Sequence, residues 1–339
     1  MRAPLLASAL VASAGSAAEI VDNTVVRRDT TGAPVDAHDG QLFRWPQPAA
    51  AGSDDGSADD EHTTAAAAAA ARWYWLGTAY GNCTTSEATE CDFSQNLTSC
   101  GWRDHDFSLY SSATLAGPWH LERQSLLPPR GQRRRGVYFR PKLIAPSVRR
   151  PGPRQWVLWY NYIPAGGAGH GNSLGILSSA VAGSLTGAAA GHFATASWNV
   201  SMGHDPAGQP QHGHGDFAVF VDETSPTAEC YLAYGSEFDV AVDRLSADGT
   251  TSSKVTSPII PGTNVTRHGV EAPVMLQREA IPGGSTEYVL IVAHTCWCVD
   301  LPSQAAAACV HASGMPRCRL TLAVQCAVCG LSQLLSRRK

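Results

Sequence analysis

The sequence is short of charge, of helical pattern and of long apolar runs. Charged residues make up 16% of the 339 positions and the formal net charge is −4, which argues against a nucleic-acid surface. The one concentrated basic run, Arg133-Arg134-Arg135, reads as a solvated loop rather than a binding patch. No segment sustains a 3.6-residue apolar repeat with caps, so helices are not expected to build the core. Beyond residue 18 no stretch has enough unbroken apolar residues to span a bilayer. What remains is a chain with 44% hydrophobic residues, enough for one large all-β domain or two ordinary ones.

The N-terminus reads as a secretory signal over residues 1–18. Arg2 supplies the positive start, Leu5 to Ala12 a short apolar region, and Ser16-Ala17-Ala18 the small residues before cleavage. Four sequons, at Asn82, Asn96, Asn199 and Asn264, fit an extracellular protein. In that compartment Cys83, Cys91, Cys100 and Cys230 read as disulfide partners, with the pairing open. Cys296-Trp-Cys298 and Cys326-Ala-Val-Cys329 are separated by too long and irregular a gap to be a strong zinc signal.

Short aromatic and β-prone runs follow one another with turn signals between them, from Val35–Trp45 to Glu287–Ala293. Residues 46–71, rich in Pro, Ala, Ser and Asp, read as a disordered insertion in a surface loop. Three runs have an acidic residue at the mouth: Asp39 before Gly-Gln-Leu-Phe, Asp216 before Phe-Ala-Val-Phe-Val, and Glu271 before Ala-Pro-Val-Met. Pro273 suggests that the last of these strands begins there. Any one such residue is ordinarily a solvated turn residue; their recurrence suggests one centre.

An internal repeat supports this. Tyr110-Ser-Ser-Ala113 matches Leu177-Ser-Ser-Ala180, and each follows an aromatic strand. The repeating unit is four strands, with mouth positions Asp39, Phe139, Asp216 and Glu271. Units of that kind are expected to be propeller blades, whose first strands line a common axis. Residues 299–339 do not continue the pattern, and the fourth unit is expected to stop after its second strand.

At these residues the chain resembles a known family. Asp36-Ala-His-Asp-Gly40, Gly136-Val-Tyr-Phe-Arg-Pro-Lys142, Gly215-Asp-Phe-Ala-Val-Phe-Val-Asp-Glu223 and Gly269-Val-Glu-Ala-Pro273 are similar to glycoside hydrolase family 43, in particular its galactan 1,3-β-galactosidase branch. The resemblance covers roughly residues 30–298. It implies a five-bladed β-propeller with the last blade incomplete or missing, over residues 19–298. It implies an inverting glycosidase with Asp39 as base, Asp216 as pKa modulator and Glu271 as acid. Inversion needs a protonated acid and an ionised base on opposite faces of the sugar, and a third carboxylate raises the acid's pKa by like-charge repulsion. His38, Arg140, His268 and Trp297 are implied at the substrate. No cofactor or catalytic metal is required, although a structural calcium is compatible. The expected partner is a polysaccharide or oligosaccharide, with no nucleic acid and no membrane span, and a monomer is expected.

Two departures bear on the branch: Phe139 stands where it commonly has Glu, and Asp39 stands where it often has no acidic base. A rival reading is a non-catalytic carbohydrate-binding propeller, with Trp73, Trp75, Trp156 and Trp159 available for stacking unless they are core. A third would use His212, His214 and Asp216 for a metal, but the Gly-interrupted run favours a loop.

Overall fold

The computed structural model describes residues 25–46, 71–80, 105–150, 155–164, 173–179, 185, 193–204, 214–236, 239–260, 270–278, 287–294, 309–311, 319–321 and 323–324. Residues 1–18 and the sequons at Asn82, Asn96 and Asn264 lie outside them.

The alternating aromatic and apolar runs form strands, and the fold is all-β as expected. Sheet one is β1 (His38–Pro46), β2 (Ala71–Ala79), β3 (Asp106–Ser112) and β4 (His120–Arg123). Sheet two is β5 (Gly136–Ile144), β6 (Val157–Pro164), β7 (Ser173–Ser179) and β8 (Phe193–Ser197). Sheet three is β9 (His214–Val221), β10 (Cys230–Ser236), β11 (Asp239–Leu245) and β12 (Ser252–Ile260). Sheet four begins with β13 (Val270–Arg278) and β14 (Glu287–His294). The first three sheets are antiparallel meanders. Their first strands pack in sequence, β1 on β5, β5 on β9 and β9 on β13.

The sheets stack face to face, so central strands are covered on both sides. β10 is buried along its whole length and β6 nearly so. Tyr74, Leu76, Phe107 and Leu109 of sheet one interlock with Trp156, Leu158 and Tyr160 of sheet two. Ile144, Val157, Trp159 and Ile176 of sheet two interlock with Phe217, Leu232 and Tyr234 of sheet three. Each fully buried side chain of this size contributes about 1.5–3 kcal/mol. Trp156 and Trp159 are therefore core, not sugar platforms, while Trp73 and Trp75 are half-buried. The Ser-Ser repeat holds in register: Tyr110 pairs with Trp75 and Leu177 with Leu158.

The first strand of each of sheets one to four carries an extra residue at one place. Between His38 and Gln41 of β1, three residues of advance face two in β2, whose partners are Thr78 and Leu76. The same slip falls between Phe139 and Lys142, between His214 and Phe217, and between Glu271 and Val274. A bulge leaves one residue outside the ladder. That accommodates Pro141 and Pro273 inside strands, where neither has an N–H to donate. Three bulges also carry a left-handed non-glycine residue: Asp39 (φ 51°), Arg140 (φ 54°) and Ala272 (φ 48°). Such backbone costs of order 1–3 kcal/mol and persists only where the surroundings impose it.

These bulges correct several expectations. β13 passes through Pro273 instead of starting there. The four mouth residues are not equivalent: Phe139 and Glu271 are the last paired residues before the bulge, whereas Asp39 and Asp216 lie within it. The insertion is shorter than 46–71, because Pro46 and Ala71 are strand residues that face each other. Residues 47–70 lie outside the described residues.

Other expectations change as well. Cys230 is a free, buried thiol rather than a disulfide partner. It opens β10 with its side chain in the core, and its Sγ lies 3.3 Å from Arg150 Nη1. The basic run is a loop with Arg134 and Arg135 exposed, as expected, but Arg133 departs from it: Arg133 is buried and bonds Asp106 Oδ1 at 2.6 Å, while Arg134 lies over the Trp198 ring. The fourth sheet does not stop at two strands. After β15 (Cys309–His311) and β16 (Arg319–Thr321), which pair with each other, β17 (Ala323–Val324) joins β14 in parallel.

Candidate functional site

The site grows from the bulges of β1, β5 and β9. In β1 the turn of backbone at Asp39 presses Gly40 against β2. A Cβ on Gly40 would lie 1.6 Å from the Leu76 carbonyl oxygen, so only glycine fits there. The Asp39 carboxylate accepts a hydrogen bond from Tyr80 Oη at 3.0 Å. Tyr80 stacks on His38, with ring centroids 4.3 Å apart and planes 7° from parallel. Asp36 completes this corner: its Oδ1 accepts the Tyr80 N–H at 2.8 Å and lies 3.3 Å from His38 Nε2.

β5 reaches in both directions. Arg140 Nη2 pairs with Asp216 Oδ1 of β9 at 2.7 Å, and its backbone N–H donates to Thr78 Oγ1 at 3.1 Å. Two residues on, Lys142 turns the other way. Its Nζ donates to the Asp39 and Gly40 carbonyl oxygens at 2.7 and 2.6 Å. Burial pushes the Lys142 ammonium down to about 8; Asp39 opposes that shift, Arg140 adds to it, and Asp216 opposes it. In β6, Asn161 donates to the Gly215 carbonyl in the bulge of β9 at 3.1 Å.

Asp39, Arg140, Lys142 and Asp216 thus form one charged cluster across three first strands. Of the residues singled out in the sequence, the structure brings Asp39, His38, Arg140 and Asp216 to it. Glu271 occupies β13 opposite Ala293, at the register of Phe139, on a strand that packs against β9; its side chain lies outside the described residues. His268, Trp297 and His212 also lie outside them. Lys142, Tyr80 and Asp36 were given no role in the sequence. A lysine after Arg-Pro in an otherwise apolar strand was the available signal for Lys142. A cavity of about 610 Å³ opens on the sheet-one side of the Asp36–Tyr80 corner, lined also by His105, Asp106, Gln124 and Arg130, and none of the four cluster residues lines it.

The fold and the cluster define a class, an all-β chain of stacked meanders with its charged residues on first-strand bulges. No family model and no curated protein matches the chain. Among solved structures it is similar to an exo-β-1,3-galactanase from Phanerochaete chrysosporium solved with galactose, at a TM-score of 0.50 and 19% identity over 81% of this chain and 48% of that one. A family 43 β-1,3-galactosidase solved with galactodeoxynojirimycin aligns at 0.48 and 17% identity, over 77% of this chain and 70% of that one. An endo-arabinase from Bacteroides thetaiotaomicron aligns at 0.39 and 11% identity, over 80% and 79%. The chain spans about half the length of the galactanase, and the likeness to it is one of fold. No helix among the described residues is long and apolar enough to cross a membrane.

Proposed function

We propose that the chain is a secreted glycoside hydrolase of the family 43 kind, acting on a plant- or algal-type polysaccharide, with a 1,3-β-linked galactan as the first substrate to test. In this reading residues 1–18 are removed on export. Residues 19–298 form most of a five-bladed propeller whose last blade is incomplete, and β17 from the segment after residue 298 adds to its fourth sheet. The observation that supports the reading is that Asp39 and Asp216 lie on the bulges of β1 and β9 either side of β5, whose Lys142 bonds the Asp39 main chain and whose Arg140 pairs with the Asp216 carboxylate.

The chemistry assigned is inversion in one displacement. Ionised Asp39 orients and deprotonates the attacking water, Glu271 protonates the leaving oxygen, and Asp216 supplies the second negative charge that keeps Glu271 protonated. Arg140 and His38 then serve as hydrogen-bonding partners of the sugar. Incubation with β-1,3-galactan and with arabinan, followed by NMR of the first product, tests this. Release of a monosaccharide with inverted anomeric configuration is expected; no release, or retention, overturns it.

A second reading, a carbohydrate-binding module without turnover, is favoured by one observation. Arg140 pairs directly with Asp216 at 2.7 Å, which offsets the negative charge that Asp216 would contribute to the acid. Saturable sugar binding without monosaccharide release would favour that reading.

A further inference from the structure

Lys142 is a half-buried titratable group for which the proposed chemistry has no use. Its ammonium lies between two sheets, yet both of its hydrogen bonds go to the main chain of one bulge, at Asp39 and Gly40. That backbone needs support. Asp39 is held at φ 51°, a region that disfavours non-glycine residues, and Gly40 is forced against the Leu76 carbonyl. A charged donor bonded to a carbonyl is roughly twice as strong as a neutral one, and Lys142 places two such bonds where the chain is strained. The Tyr80 hydroxyl holds the carboxylate end of the same residue.

The other first strands set this apart. The residue at the Lys142 position is Gln41 in β1, Phe217 in β9 and Val274 in β13. Gln41 crosses the same seam in the other direction, its Oε1 accepting the Leu143 N–H at 2.6 Å. The β1–β5 seam is thus tied by side chains from both strands.

We propose that Lys142 is the positioning residue for Asp39: its ammonium fixes the left-handed bulge and thereby the aim of the carboxylate. The inference rests on the reading of Asp39 as the water-activating base. The groups that face Lys142 are Asp39 on β1, Arg140 on its own strand, and Asp216 on β9, with the Phe217 ring 5.9 Å from Nζ. Loss of the proton removes the charge from both bonds and loosens the bulge. Activity should therefore fall as pH rises through about 8, the value to which burial lowers Lys142.

The test uses the full chain with Lys142→Met and Lys142→Arg. Lys142→Met, which keeps the stem and removes the donors, should lower kcat at least ~10-fold with KM within about threefold, because positioning acts on the reacting geometry rather than on uniform binding. Lys142→Arg keeps the charge at all accessible pH and should lack the alkaline limb near pH 8. A KM effect alone, or an unchanged limb in Lys142→Arg, overturns the proposal. A crystal structure of Lys142→Met gives a readout independent of turnover. Asp39 should leave the left-handed region and the Tyr80–Asp39 hydrogen bond should break. If the wild-type chain hydrolyses no glycoside, the functional reading fails, and this structure still decides whether Lys142 holds the bulge. An Asp39 unmoved in it overturns the role.

Discussion

Leu143 and Leu42 hold the same place in two sheets, the second residue after the first-strand bulge, and meet opposite surroundings. Leu143 is 4% exposed and Leu42 is 50% exposed. At the same position in sheets three and four, Ala218 and Met275 are buried. Leu143 is covered by sheet one, Met275 and Ala218 lie between neighbouring sheets, and Leu42 has no preceding sheet among the described residues. The other end of the row mirrors this. Ile144 is fully buried, while its counterpart Leu276 is 46% exposed and Val274 beside it 44%. The pattern of residues is alike in every sheet; what differs is the neighbour. An apolar side chain in a strand gains stability only when another sheet removes its surface from water.

This comparison can be broken by substitution, beginning with the largest effect. Trp156 and Trp73 are register equivalents, the first fully buried and the second partly. Trp156→Ala should destabilise by about 3–5 kcal/mol, and Trp73→Ala by about half that, measured by urea unfolding. Equal losses would show that the exposed face of sheet one is covered in solution. Next, Leu143→Ala should cost about 2–5 kcal/mol, and Leu42→Ala below about 1 kcal/mol. A third experiment concerns charge inside the row rather than apolar surface. Lys142 titrates at about 8 in the fold and ordinarily at 10.5. Between those values the unfolded chain binds more protons, so this group makes stability rise with pH across that window. Below about 8 both states are protonated and the full penalty of burying the charge applies. Unfolding of wild type and Lys142→Gln across pH 7–10 should show that rise in wild type alone. The signs separate two effects: stability from this group rises where activity is expected to fall. Smallest, Leu276→Ser at the uncovered end should stay within about 1 kcal/mol, checked by the shift in unfolding midpoint.

Much of the frame was legible in the residues. Every strand read from the aromatic runs exists, because period-two alternation and β-prone side chains act locally. Six strands were not read: β8, β11 and β12 within the sheets, and the short β15, β16 and β17 near the C-terminus. β8 and β12 are edge strands with thinner patterns, such as Phe193-Ala-Thr-Ala-Ser197, whose middle three residues are exposed, whereas β11 lies between β10 and β12. The shared bulge was also hidden. Asp-Gly, Arg-Pro, Gly-Asp and Ala-Pro have no residue in common, and only the ladder to the second strand shows that they occupy one place. Cys230 was misread because a cysteine's pairing depends on what lies opposite it in space.

The sequence by itself determined the all-β class, the order of the first strands, the repeated Ser-Ser strand, and the short set of carboxylates worth testing. All of these follow from contacts within a few residues or from one motif recurring along the chain. Tertiary structure alone decided that Arg140 would neutralise Asp216, that Lys142 would hold Asp39 from across a seam, and which of several equivalent leucines would be dry. The bonds to Asp39 and Gly40 join residues more than a hundred positions apart. Their geometry is set by how the sheets stack, and no local preference encodes that distance.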